Sequence, residues 1–329
     1  MHLDVFKADP FQLTTLTKAL NDLPFMPTRL GTLGVFQDEP IMTTTVAIER
    51  QGETLALVPS APRGAPGQKV VVDRRNMRNL NTAHLPTEVQ VMADEVQNLR
   101  AFGTDGDEAT ALVWLNRKMA VARRRLELTL EWQRMGALKG IVVDADGTTP
   151  LVNLFTEFGV TQDTFSFDMG NASAKMLLKC LTVKRLIEDQ LGGLPYTRIR
   201  WECSAAFFDA FTTHVSVFDA YQFYNAQVKS SDNRSGFTFG DMLFEEYRGS
   251  VGGIQFVESG SAYPVIEGTP DLYLANYAPA PYNDTVNTMG MPFYAKMWEL
   301  EGGKGYTVEM QSNPLIFTTK PKAQVKATV

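Results

Sequence analysis

Apolar positions change their period several times along this chain. Between Asp107 and Gly136, Leu112, Leu115, Met119, Ala122 and Leu126 recur at spacings of three and four, the period of one helical face. A second strip of Trp114, Val121, Leu128, Trp132 and Met135 predicts burial on more than one side. Asp105 or Asp107 would cap the start of this helix and Gly136 would end it. At a rise of about 1.5 Å per residue the span makes a spine of about 45 Å, well beyond the mean helix. The basic run Arg123-Arg124-Arg125 on it reads as solvated, or as paired with Glu127 and Glu131.

Elsewhere the pattern is shorter and more varied. Residues 1–48 hold Pro10, Pro24, Pro27 and Pro40 and read as an extended arm with one short helix between Phe11 and Leu23. Thr43 to Glu49 and Thr54 to Val58 read as strands around Arg50-Gln51-Gly52-Glu53. Pro59 to Gly67 is dense in Pro and Gly and cannot be core, and Val70-Val71-Val72 lies in a returning strand from Lys69 to Arg75. Together these segments predict a long two-stranded finger, marginal on its own. Beyond the spine, Leu138 to Val143 and Thr149 to Phe155 flank Asp144-Ala145-Asp146-Gly147, a hairpin with an Asp-Gly turn. Gly170 to Ala174 opens a helix that Gly192-Gly193 closes, Arg198 to Cys203 is a strand, and Ser204 caps a helix from Ala205 to Thr213. Val215 to Val228 is expected to be helical, and Phe237 to Ile266 alternates short strands with Gly turns. Tyr306 to Met310 and Leu315 to Thr319 complete a mixture of helices and antiparallel strands, an α+β class.

Composition narrows the function classes. The 329 residues, 44% hydrophobic and 21% charged, describe a globular chain of about two domains. A net charge of −6 argues against a dedicated nucleic-acid binder. No apolar run reaches the ~20 residues that span a bilayer, and the opening residues lack a signal-peptide pattern. Cys180 and Cys203 cannot form a disulfide framework, which favours folding in a reducing compartment. The charge is segregated. Arg50 to Arg78 holds six basic and two acidic residues, a net of +4, whereas Ser230 to Met310 holds four basic and eleven acidic residues, a net of −7. Such a layout suits recognition of one copy by another.

Signatures of catalysis are missing. The histidines His2, His84 and His214 and the two cysteines have no zinc-ligand spacing. Gly302-Gly303-Lys304-Gly305 lacks the phosphate-loop pattern, Gly31-Thr32-Leu33-Gly34 is not a dinucleotide fingerprint, and Ser259-Gly260-Ser261 is not a nucleophile elbow. Asp144-Ala145-Asp146-Gly147 is a turn rather than a calcium loop, because Asn153 stands where a Glu ligand is required. His214, near Asp209 and Ser216, reads as a packing or capping residue rather than part of a triad, and both cysteines as buried and inert. No catalytic, cofactor or metal residue is assigned.

The order of elements nevertheless resembles the tailed-bacteriophage major capsid proteins, in particular the family known as major capsid protein E. The resemblance is carried by the finger from Glu53 to Val72, Asn76-Met77-Arg78 with Leu85-Pro86, and the spine from Asp107 with its three arginines. Leu138-Lys139-Gly140-Ile141, the Ala206-to-Phe211 helix and Met310-Gln311-Ser312-Asn313-Pro314-Leu315-Ile316 add to it.

The resemblance implies an N-terminal arm over residues 1–48, an extended loop over 49–78 and a peripheral domain over 79–169. An axial domain over 170–270 and a return to the peripheral domain over 271–329 complete it. It implies hexamers and pentamers in an icosahedral shell around double-stranded DNA, with a scaffolding protein, a portal and a decoration protein as partners, and assembly in the host cytoplasm. Arg63, Lys69, Arg74, Arg75 and Arg78 are the candidate inter-subunit contacts. An encapsulin-like compartment and an α+β enzyme with an unrecognised site are the alternative readings.

Overall fold

The computed structural model of the chain describes residues 12–22, 28–50, 76–92, 95, 107–224, 234 and 236–329. Its helices are α1 (Leu13–Asp22), α2 (Arg29–Leu33), α3 (Asp107–Lys139), α4 (Leu154–Phe158), α5 (Met176–Leu191), α6 (Ala205–Thr213) and α7 (Val215–Tyr224). The strands begin with β1 (Gln37–Pro40), β2 (Thr45–Arg50), β3 (Asn76–Asn81), β4 (Leu85–Met92), β5 (Ile141–Val143), β6 (Pro150–Asn153), β7 (Thr164–Ser166) and β8 (Arg198–Cys203). They continue with β9 (Phe237–Phe239), β10 (Met242–Glu246), β11 (Ser250–Val251), β12 (Ile254–Gln255) and β13 (Ser261–Glu267). The last are β14 (Tyr273–Tyr277), β15 (Tyr294–Glu299), β16 (Gly305–Ser312), β17 (Pro314–Thr318) and β18 (Lys326–Thr328). The chain forms two units, one of residues 1–46, 81–134 and 274–316, the other of 47–80, 135–273 and 317–329.

In the first unit β16 is the centre of a β15-β16-β4 sheet, antiparallel throughout, and β1 runs parallel to β14. Val91, Val308, Met310 and Ala295 alternate onto one face of the β15-β16-β4 sheet and are buried, as are Leu115, Met119, Ala122 and Leu126 of α3. The arm reading needs correction here. Residues 28–46 are not merely extended: Thr28 precedes a helical turn and Gln37–Pro40 pairs with β14. A five-residue helix is too short to show an apolar period, and four exposed strand residues show no alternation.

The second unit is built on a six-stranded sheet of order β7-β18-β13-β8-β10-β9. Two of its pairs, β8–β10 and β7–β18, are parallel, so the sheet is mixed rather than purely antiparallel. Trp201 and Phe244 stack at 6.3 Å, Phe211 lies 4.2 Å from Phe244, and Phe167 meets Trp201, Phe207 and Phe211 edge-on. Such aromatic contacts add about 0.5–1.5 kcal/mol each beyond area burial. The predicted β8 and α6 coincide with the observed ones, and the Ser204 hydroxyl accepts from the Phe207 N–H as a cap.

Gly136 does not end the spine, which runs on to Lys139, and Leu138 is helical rather than the start of a strand. Gly140, at φ 82°, is the true stop. Gly136 instead makes room: a Cβ there would lie 2.9 Å from Val142 Cα and 3.0 Å from the Ile141 carbonyl oxygen. The second apolar strip of the spine also differs from expectation, since Val121 is 52% exposed. Thr149 to Phe155 likewise splits into β6 and α4, with Asn153 capping the helix. Gly170 to Ala174 precedes α5, which starts at Met176.

Helix propensity alone would make Gly136→Ala stabilising by about 1 kcal/mol. The contact with β5 reverses the sign: a loss of about 1–3 kcal/mol is expected from overpacking, read as a lower urea midpoint of the unassembled subunit.

Candidate functional site

The spine helix carries buried charge. Arg123 is 7% exposed, Glu127 3% and Glu131 2%. Arg123 Nε donates to Glu127 Oε1 at 2.9 Å, its Nη1 donates to the Leu20 carbonyl at the end of α1, and its guanidinium lies 5.0 Å from the Phe293 ring centroid. Glu131 accepts from the Leu30 N–H at 2.6 Å and the Gly31 N–H at 3.1 Å, and Arg134 lies 3.7 Å from its second oxygen. About two turns of the spine thereby hold both helices of the N-terminal segment. Arg124 and Arg125 are exposed and Arg123 pairs with Glu127, the two alternatives expected for the arginine run; its bond to the Leu20 carbonyl makes Arg123 an internal anchor as well. The i,i+4 spacing of Arg123 and Glu127 was the available signal; nothing local to Glu131 announced that it would bind α2.

β2 and β3 pair with each other. At one end of this ladder the Thr82 N–H and hydroxyl both donate to the Thr44 carbonyl, at 3.0 and 3.1 Å. The Ala83 N–H donates to the Pro314 carbonyl at 2.8 Å, and His84 Nδ1 lies 2.8 Å from Asn313 Oδ1. Of the predicted contact residues, Arg63, Lys69, Arg74 and Arg75 lie outside the described residues, as do the expected strands Thr54 to Val58 and Lys69 to Arg75. Arg78 is described. Its Nη1 donates to the Thr156 carbonyl at 3.2 Å and lies 3.7 Å from Glu157, so it is engaged within its own subunit.

Much of the acidity of Ser230 to Met310 is neutralised internally. Arg200 binds Glu245 at 2.5 Å and Glu267 at 2.6 Å. Lys139 binds Glu258 at 2.6 Å, Lys184 binds Asp241 at 2.6 Å, Lys296 binds Asp284 at 3.0 Å, and Arg234 and Arg248 flank Glu246. Burial pushes the Lys139 ammonium below its ordinary range, against the pull of Glu258. The net of −7 therefore overstates the charge this body presents to a neighbour.

The residues that could have supported chemistry are structural. His214 caps α6: its Nδ1 accepts from the Ser216 N–H at 3.2 Å, which leaves Nε2–H to donate to the Asn171 carbonyl at 3.1 Å. Cys180 and Cys203 are fully buried; burial pushes the Cys180 thiol up to about 12 and Cys203 well above its usual value. Asp146 binds the N–H groups of Thr148 and Thr149 and the Thr149 hydroxyl, closing the turn that the Asp-Gly pair predicted. Among the described residues no group of three His, Cys, Asp or Glu could hold a metal ion, and no helix is long and apolar enough to cross a membrane.

The subunit ties its N-terminal helices to the spine and pairs β2 with β3. Solved structures share its fold. A prophage capsid protein of E. coli CFT073 aligns with a TM-score of 0.53 at 14% identity over 97% of this chain and 99% of that one. A phage-related protein of Bordetella bronchiseptica RB50 aligns with a TM-score of 0.52 at 10% identity over 96% and 97%. The model of the family described as phage major capsid protein E matches residues 12–329, and the chain belongs to that family. The major capsid protein of Salmonella phage Felix O1 is 24% identical, covering 96% of this chain and 95% of the relative. That of Pseudomonas phage KPP10 is 27% identical, covering 92% of each. The role is structural, a bacteriophage capsid component and not an enzyme.

Replacing Glu131 by Ala removes the acceptor for two backbone donors and the partner of Arg134. A loss of about 2–4 kcal/mol is expected, with hydrogen exchange at the Leu30 and Gly31 amides accelerating more than exchange in β8.

Proposed function

We propose that this capsid protein assembles as hexamers and pentamers into an icosahedral shell enclosing double-stranded DNA, with the segment from Arg50 to Arg78 lying on an adjacent subunit. The observation that supports the contact is the pairing of β2 with β3, tied down beside Thr44 and Thr82, in a segment from Arg50 to Arg78 whose net charge is +4. A two-stranded ladder of this kind is marginal alone and is completed by a neighbour. Arg63, Lys69, Arg74 and Arg75 would set register and encounter rate more than affinity; Arg78 is engaged within its own subunit instead. A scaffolding protein and a portal fit as assembly partners, a decoration protein as an outer one, and contacts with DNA would be non-specific for a subunit of net −6. Synthesis and assembly would take place in the host cytoplasm.

The experiment is a charge reversal. Arg74→Glu with Arg75→Glu should leave the subunit folded by circular dichroism and abolish particles in electron microscopy. Particles of normal yield from that variant would overturn the assigned contact.

A further inference from the structure

Helix α5 carries more apolar surface than its own subunit covers. Met176, Cys180, Val183, Ile187 and Leu191 recur every three or four residues and are buried. Leu177, Leu178 and Leu181 lie on the other side of the helix, the first two more than half exposed. A helix with apolar residues on two sides is suited to being covered on both. The start of α7 repeats the arrangement: Val217 is fully buried, whereas Val215 and Phe218 are more than half exposed. The two helices pack together, and the Met176 N–H donates to the Ser216 hydroxyl oxygen at 3.3 Å. Single apolar side chains on a surface are ordinary, but five on two touching helices form a patch of the kind that marks an interface.

The flanks of α5 are already occupied by its own subunit. On one, Lys179 Nζ donates to the Ser166 carbonyl of β7 at 3.2 Å. On the other, Gly240 comes so near that a Cβ there would lie 2.9 Å from Cys180 Cβ, and Lys184 binds Asp241. The first turn of α7 is fixed by the Ser216 N–H, which donates to His214 Nδ1. Helices held in this way lose little freedom when a partner arrives.

Charge selects the partner. Lys175 to Arg185 holds four basic residues and no acid, and the acids of α5 come only in its last turn, where Glu188 takes the Tyr196 hydroxyl. Ser204 to Tyr224 holds Asp209 and Asp219 and no Lys or Arg. Arg185 follows Leu181 by four residues, as Asp219 follows Val215, so each charge sits one turn beyond an exposed apolar residue. Both are exposed and, among the described residues, neither has a salt bridge. One strip is therefore apolar and basic, the other apolar and acidic. A chain that carries both is complementary to a copy of itself. A nucleic acid would suit the α5 strip alone and meet like charge at Asp219.

We propose that the Leu177-Leu178-Leu181 strip of α5 docks on the Val215-Phe218 strip of α7 in a second copy of this chain, with Arg185 facing Asp219 across the contact. The inference rests on the shell reading above and adds a contact between copies that does not involve the Arg50–Arg78 segment.

The test uses the full-length protein. Leu178→Gln with Phe218→Gln should leave the melting temperature of the unassembled subunit unchanged, because both side chains are exposed there. Its threshold concentration for particle formation should rise about tenfold or more, by sedimentation and electron microscopy. Arg185→Glu should raise the threshold in the same direction, and Asp219→Arg added in the same chain should restore it. A Leu178→Cys chain mixed with a Phe218→Cys chain and oxidised in particles should give a disulfide-linked heterodimer, and neither chain alone should dimerise. An unchanged threshold for the Gln pair would overturn the docking of copies and leave the patch to a different protein. Particles without the heterodimer would overturn the pairing of α5 with α7, and failure of the restoring reversal would overturn the Arg185–Asp219 contact. Failure of the wild-type chain to form any particle would sink the shell reading itself.

Discussion

Everything in the first unit depends on charge buried along one side of the spine helix. A long helix that only presented leucines would accept any apolar strand or helix laid against it. Glu127 and Glu131, each under 4% exposed, accept only correctly placed donors. Glu131 takes the N–H groups that open a five-residue helix, a stretch too short to be stable alone. Arg123 then binds α1 through the Leu20 carbonyl. Leaving any of these groups without its partner costs several kcal/mol, whereas the intact set contributes modest net stability. Its value lies in selecting one arrangement of the N-terminal segment.

The same economy governs the acidic stretch. A segment total of −7 says nothing about which carboxylates meet water as free charge. Arg200 neutralises two of them from β8, and Lys139 at the end of the spine neutralises a third. Those partners lie far away in sequence, so the charge plot overstated the contrast between the Arg50–Arg78 segment and the acidic stretch. Segregation survives in a smaller form, between the basic residues of α5 and the acidic residues of α6 and α7.

Long periodic elements were legible and junctions were not. The spine, β8, α6 and the Asp-Gly turn could be read because their signals are local: a 3.6-residue period, a Ser cap, an αL glycine. Gly136 misled because a glycine can mark a helix end or a close approach, and only the packing of Val142 distinguishes the two. The short elements α2 and β1 were lost because their stability comes from Glu131 and from β14, more than 100 residues away. The assigned arginines fared similarly. Arg78 proved to be engaged within its own subunit, and nothing in its neighbourhood in sequence points to Thr156 or Glu157.

The edges of the β15-β16-β4 sheet explain why recognition would be left to side chains. An exposed strand edge is a template for indiscriminate pairing, a hazard for a protein that must meet many copies of itself in defined orientations. On β15 the Thr17 hydroxyl engages both the N–H and the carbonyl of Ala295, at 3.2 and 3.4 Å. On β4 the Lys118 ammonium takes the Gln90 carbonyl at 3.1 Å while bound to Glu95. Each bond occupies a backbone group that another chain would need for strand addition. With these backbone groups occupied at both edges, specificity would pass to side chains, where a wrong partner meets mismatched charge instead of a complementary ladder. Such contacts are individually weak and reversible, which lets a growing shell reject misplaced subunits before closure.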